Sequence, residues 1–95
     1  MARRVILSAK AYADIDRIVE FNNHRNQSET YSKKFIKNLY AQFEILKNHK
    51  TVGIKTADNE TFVFIYDEYY IFYNLTDHDE VQILSVYHQK ENVPR

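Results

Sequence analysis

The residues best suited to chemistry lie near the end of the chain, in Tyr87-His88-Gln89-Lys90-Glu91-Asn92. A histidine there can accept or give up a proton at neutral pH, and Lys90 can stabilise phosphate charge. The same residues also fit a hydrogen-bonded histidine at a strand end followed by solvated charges. A second cationic region, Lys47, His49, Lys50 and Lys55, reads either as a phosphate track or as cations complementing a helix C-terminus. The aromatic set Phe62, Phe64, Tyr66, Tyr69, Tyr70, Phe72 and Tyr73 offers flat faces on which single-stranded bases stack, and equally offers a core. Where such rings point outward, a helix or strand of a partner protein covers them as well as a base does.

Other chemistries lack their residues. The four histidines are isolated, with no HExxH pattern and no pair at helical spacing, so no metal centre is expected. A single glycine cannot build a Walker loop or a dinucleotide-binding cluster, and no cofactor is implied. Without cysteine there is no thiolate nucleophile and no disulfide, which fits a reducing compartment. Ser8, Ser28, Ser32 and Ser85 have no nucleophile-elbow context and read as caps, helix surface and strand filler.

The elements that must carry these residues follow from periodicity. Over residues 8–25, Ala11, Tyr12, Ile15, Ile18, Val19 and Asn22 share a face, with Lys10, Asp14, Arg17 and Glu20 elsewhere and Ser8 as N-cap. The polar residues 22–27 favour side-chain to backbone bonds and predict a turn. A second helix is expected over residues 28–48, where Tyr31, Phe35, Leu39, Phe43 and Leu46 recur every three or four positions. Thr61–Tyr66, Tyr69–Leu75 and residues 81–88 are short and rich in Val, Ile, Phe and Tyr, and read as a three-stranded meander. Residues 3–7 supply a fourth strand, while residues 50–60, with Gly53, carry no assignable pattern.

The expected fold is α+β, ordered β-α-α-β-β-β, with an N-terminal helical hairpin packed on a small, mostly antiparallel sheet. If Asp67-Glu68 is a two-residue loop, Tyr66 opposes Tyr69. One face then gathers Phe62, Phe64, Tyr66, Tyr69, Ile71 and Tyr73, and the other Val63, Ile65, Tyr70 and Phe72. Both faces are apolar, and two helices cover only one of them.

Size and charge bound the function. With 95 residues the chain should bury roughly 60–65% of its unfolded surface, enough for a single core, so one domain spanning residues 1–95 is expected. Thirteen basic residues balance 13 acidic ones, which denies the chain the global positive field of a nucleic-acid binder. The Val5-Ile6-Leu7 run behind Arg3 and Arg4 is too short for a signal-peptide core, and no stretch approaches the roughly 18 apolar residues of a membrane span. A soluble cytoplasmic protein without a membrane partner is expected.

Four segments in this order resemble the RelE/ParE superfamily of bacterial toxin–antitoxin modules, and the resemblance covers nearly the whole chain. Residues 11–21, Ala-Tyr-Ala-Asp-Ile-Asp-Arg-Ile-Val-Glu-Phe, resemble its first helix. Residues 41–46 resemble the "F...I..L" end of its second. Tyr69-Tyr70-Ile71-Phe72-Tyr73 is similar to its "YRIxY" strand, and residues 81–90 to its "v.IL.V.H.R" ending. The resemblance implies a growth-inhibiting toxin, of the kind used in plasmid stabilisation, that a cognate antitoxin neutralises. It further implies either cleavage of ribosome-bound mRNA or poisoning of DNA gyrase.

In the cleaving branch His88 and Lys90 inherit the C-terminal catalytic positions and Lys55 loosely a loop lysine. Tyr70 and Tyr87 are then candidates for contact with RNA or a partner. The family's strand arginines are replaced, however, by Phe62-Val63-Phe64 and by Tyr70. Losing fixed charge where a phosphorane dianion forms costs several kcal/mol of transition-state stabilisation. Arg3 and Arg4 can replace it only if their strand brings them close. The expectation is therefore a toxin acting by protein contact, on gyrase or on its antitoxin alone. The alternatives are an mRNA endoribonuclease and a nontoxic module that forms a homo-oligomer through its aromatic face.

Overall fold

Val5-Ile6-Leu7, too short to fold alone, becomes a strand because the last apolar run of the chain gives it a partner. In the computed structural model, which describes residues 2–26 and 30–90, β1 (Arg4–Leu7) lies parallel to β5 (Glu80–His88). Between them come α1 (Ala9–Asn26), α2 (Thr30–Asn48), β2 (Ile54–Lys55), β3 (Thr61–Tyr66) and β4 (Tyr69–Leu75). The sheet order is β1-β5-β4-β3-β2, antiparallel everywhere except at the β1–β5 pair. The α+β architecture expected from sequence is the one observed. Among the described residues no helix is long and apolar enough to cross a membrane.

Two expectations are corrected. Residues 50–60 contribute a fifth strand, β2, whose two residues pair with Val63 and Phe62 of β3. Both of its side chains are exposed, so it has no apolar alternation to read. The turn expected at residues 22–27 does not interrupt the helix before Asn26. Asn22 is buried on the face that carries Ala11, Ile15 and Ile18, so tertiary burial overrides asparagine's weak helix propensity. Ser32 of α2, within reach of Val19 O at 3.2 Å and Asn23 Oδ1 at 2.5 Å, ties the second helix to that extension. The expected start of the second helix at Ser28 lies outside the described residues.

The N-cap is as expected: Ser8 Oγ accepts the Ala11 N–H at 3.0 Å, and it also donates to Leu84 O of β5 at 2.9 Å. On α2 the buried stripe is Ser32, Phe35, Leu39, Phe43 and Leu46. It meets the sheet face that holds Phe62, Tyr69, Ile71, Tyr73, Val81, Ile83 and Val86, all buried.

The expected hairpin register holds, with Tyr66 opposite Tyr69. No glycine makes the turns; Asn59, Asp67 and Asp79 adopt φ of 61°, 52° and 59°, which short polar side chains tolerate better than most. Between β4 and β5 a bulge interrupts the ladder. Phe72 pairs with Ser85 and Tyr73 with Ile83, leaving Leu84 as the extra residue. Before the bulge Val81 and Ile83 face the helices; after it Val86 and His88 do.

Tyr73 fixes the otherwise featureless segment that leads into β2. It is fully buried and stacked on Phe62 at 5.1 Å. Its hydroxyl donates to Lys50 O at 3.0 Å and accepts the Gly53 N–H at 2.9 Å. A Cβ at position 53 would lie 2.6 Å from that hydroxyl, so close approach rather than backbone angle requires glycine. Nearby, Asp58 accepts bonds from Thr61 N–H, Glu60 N–H and the hydroxyls of Thr61 and Thr56. The backbone bond from Thr61, followed by that from Glu60, holds its carboxyl at a pKa of about 2.

Gly53→Ala should destabilise the fold by about 1–3 kcal/mol through overpacking. Tyr73→Phe should cost about 1–3 kcal/mol by stranding the Gly53 N–H and the Lys50 carbonyl; urea denaturation measures both. Because the folded pKa of Asp58 lies below the ordinary aspartate value of 3.8, its contribution is complete above pH 3.8 and is lost as pH falls through about 2. Amide exchange at Glu60 and Thr61 should accelerate across that window, and Asp58→Asn should show a smaller change there.

Candidate functional site

The geometry at the C-terminal end of β5 begins with an incomplete sheet edge. β1 stops at Leu7, opposite Ile83, so β5 continues past its neighbour. Its polar backbone groups on that side then find partners in Ser8 and α1, as buried groups must. Ser8 N–H donates to Ile83 O at 2.9 Å and Ser8 Oγ to Leu84 O. Asp14 Oδ2 accepts the Val86 N–H at 3.1 Å, and Arg17 Nη2 donates to Val86 O at 3.3 Å. Asp14 is only 4% exposed, although its polarity suggested a place off the apolar face.

The Asp14 carboxylate also orders the cations around it. Lys10 Nζ lies 3.0 Å and Arg17 Nη1 2.9 Å from its oxygens. Lys10 donates onward to the Tyr87 hydroxyl at 2.6 Å and sits 4.4 Å from the centre of that ring, with Arg17 at 5.6 Å. Desolvation of the Lys10 ammonium is outweighed by its hydrogen bonds to Tyr87 and Asp14, so its pKa lies above the ordinary lysine value. Tyr87 is thereby 8% exposed and clasped between side chains of its own molecule. Tyr70, its cross-strand neighbour, lies half-buried on the outer sheet face.

His88 lies on the opposite, helix-facing side. Its ring meets Tyr69 edge-on at 5.2 Å. Nδ1 accepts the Lys90 N–H at 3.1 Å, and Nε2 lies 3.2 Å from Glu68 Oε2. An Nδ1 that accepts an amide proton is itself unprotonated. That arrangement fits the tautomer whose Nε2–H faces Glu68. The Gln89 N–H to Glu68 O bond at 2.7 Å keeps the β3–β4 turn against the end of β5.

A cleft of about 370 Å³ opens beside His88. Its walls are Arg17, Ile18, Phe21 and Asn22 from α1, Tyr31 from α2, Glu68 and Tyr69 from the hairpin, and His88 and Lys90. Tyr69 is buried in the wall, packed on Phe35 at 4.9 Å, and burial raises its phenol pKa against the opposing bond from Asn22. The cleft thus joins two sequence-derived candidates, His88 and Lys90. Lys55 is not with them: it stands over the Phe62 ring at 6.0 Å, three strands away and about 20 Å from His88 by strand geometry.

Arg3 and Arg4 are equally remote from His88. The Arg4 guanidinium pairs with Glu80 at the opposite end of β5 and holds that carboxyl below its ordinary range, while Arg3 N–H bonds Asp79 O. Neither arginine supplies cationic charge beside His88. Arg17 does, from a helix position that sequence reading placed only on the polar side. The spacing Ala11, Asp14, Ile18 was the available signal that Asp14, and with it Arg17, turns toward the sheet. Glu68 carried no signal beyond its place in a two-residue turn.

The family model described as the ParE toxin of a type II toxin–antitoxin system, parDE, matches residues 5–93. No match was found among curated proteins.

Asp14→Ala should cost about 2–3 kcal/mol, because it strands the buried Val86 N–H while the half-exposed Lys10 and Arg17 heads return to water. Asp14→Asn, which keeps an acceptor, should cost less. Urea denaturation ranks the two, and amide exchange at Val86 should rise in the alanine variant first.

Proposed function

Because the chain belongs to the ParE toxin family of type II toxin–antitoxin systems, we propose that it arrests growth by protein–protein contact on a gyrase-type target in the cytoplasm. A cognate antitoxin would be the partner that restrains it. Cleavage of mRNA is the less favoured chemistry. The observation that carries this reading is the state of His88. Both ring nitrogens are engaged within the molecule, one by the Lys90 amide and one by the Glu68 carboxylate. A general acid or base needs one nitrogen directed at the reacting oxygen.

Charge supports the same reading. A phosphorane gathers two negative charges and calls for preorganised cations around it. The cleft offers two cations, Arg17 and Lys90, and sets the carboxylate of Glu68 beside them. Lys55 and Arg4 stand too far off to add to them. The outer face, where Ile54 and Ile65 are 64% and 56% exposed, offers further apolar surface for a protein partner.

Tightly controlled induction of the chain and of His88→Ala in bacteria tests the reading. Arrest by both strains within about twofold of each other is expected. Inhibition of supercoiling by purified gyrase and intact ribosome-bound mRNA should accompany it. Arrest lost in a folded His88→Ala protein, with mRNA cut by the parent, would establish the nuclease instead. No arrest by either would leave an interaction module.

A further inference from the structure

We propose that the cleft between α1, the start of α2 and the β3–β4 hairpin receives a partner-protein segment bearing a carboxylate beside an apolar or aromatic anchor. The inference rests on the reading that this chain works through protein contact and specifies the chemistry of that contact. Phe21 and Tyr31 come from different helices, flank the same opening and are 61% and 51% exposed. Two large rings left in water at one cleft have the character of an interface hot spot awaiting its partner.

The floor between them is already formed. Ile18 is buried at the base, and Tyr69 is locked by Phe35 and the end of β5. A cavity of about 370 Å³ lies in the range that encloses a small ligand or a few side chains, large enough for an anchor.

Charge selects the occupant. Arg17 is held in place by Asp14 and by Val86 O, so little rotamer freedom remains to be lost when an acidic group docks. Guanidinium groups are the favoured cations for carboxylates at interfaces, and exposed Lys90, which lines the same opening, adds a second positive charge. The one acid in the walls, Glu68, is directed at His88. A nucleic-acid strand would need cations spaced along successive phosphates, and this opening has two cations and an acid on a chain of zero net charge. The outer face around Ile54 and Ile65 is apolar, and Lys10 on that face is engaged by Asp14 and Tyr87, so it specifies no occupant.

The probes are the blocked peptide acetyl-Glu-Leu-Phe-Glu-amide, its glutamine counterpart and a uridine oligonucleotide, each titrated into the full isotope-labelled chain by NMR. The acidic peptide should saturate, shifting signals of Phe21, Tyr31 and Lys90. The glutamine peptide should bind at least about fivefold more weakly. Lys90→Met and Phe21→Ser, both at exposed positions, should each weaken the acidic peptide about three- to tenfold, the scale of one charge-assisted bond or one anchor. Equal binding of the two peptides would overturn the assignment. So would shifts centred on Ile54 and Ile65, indifference to both substitutions, or tighter binding of the oligonucleotide in the same cleft. A protein that binds the acidic peptide yet needs His88 for arrest refutes the contact reading alone. One that arrests growth without His88 and ignores the peptide refutes the cleft assignment alone.

Discussion

The bond from the Val86 amide to the Asp14 carboxylate governs the working end of this molecule. β5 outruns its parallel neighbour, and a strand that outruns its neighbour exposes unpaired backbone groups that invite association with other chains. Here a helix closes the gap with side chains: a carboxylate takes the N–H and a guanidinium takes the C=O of the same residue. Because Asp14 and Arg17 lie on adjacent turns of α1, that contact also sets how the helix rotates against the sheet. The rotation buries Ile15 and Ile18 and leaves Phe21 at the surface.

The same carboxylate divides the cations of the molecule into groups with different duties. Lys10 is turned toward Tyr87 and the outer side of the sheet, and Arg17 lines the cleft on the helix side. Arg4 and Lys50 answer Glu80 and Asp79 at the far end of the sheet. A balanced composition thus resolves into local ion pairs rather than a basic field. Balanced surfaces of this kind distinguish partners through matched patches more than through long-range attraction.

Most of the architecture could be read from the chain. The stripe on the second helix, Phe35, Leu39, Phe43 and Leu46, is regular, and the Tyr66–Tyr69 register follows from alternation around a two-residue loop. What escaped was settled by contacts distant in sequence. Asn22 continues a helix because the core gives it a place, and β2 exists because Phe62 and Val63 offer an edge beside the Tyr73 hydroxyl. His88 and Lys90 were visible as a pair of chemically capable residues. The role of Glu68 in occupying His88 was not, since it depends on the hairpin folding back on the end of β5. Asp14 looked like an ordinary surface acid until the short length of β1 gave it a backbone amide to hold.

The bulge at Leu84 makes β5 a strand with two phases. Ahead of it odd-numbered positions face the helices; behind it even-numbered positions do. Inheritance of this domain is therefore constrained in length as well as in residue type. The turn at Thr76 to Asp79 can grow or shrink between generations while leaving both phases intact. Loss of the extra residue Leu84 would return β5 to an unbroken ladder with Tyr87 and His88 on their present faces. A residue gained between Ser85 and Val86 would instead exchange them across the sheet, moving the histidine out among Lys10 and Phe72 and driving the phenol into the cleft. Among descendants of this sequence, insertions should accumulate before Glu80 and be purged after Ile83, even where individual side chains there are free to change.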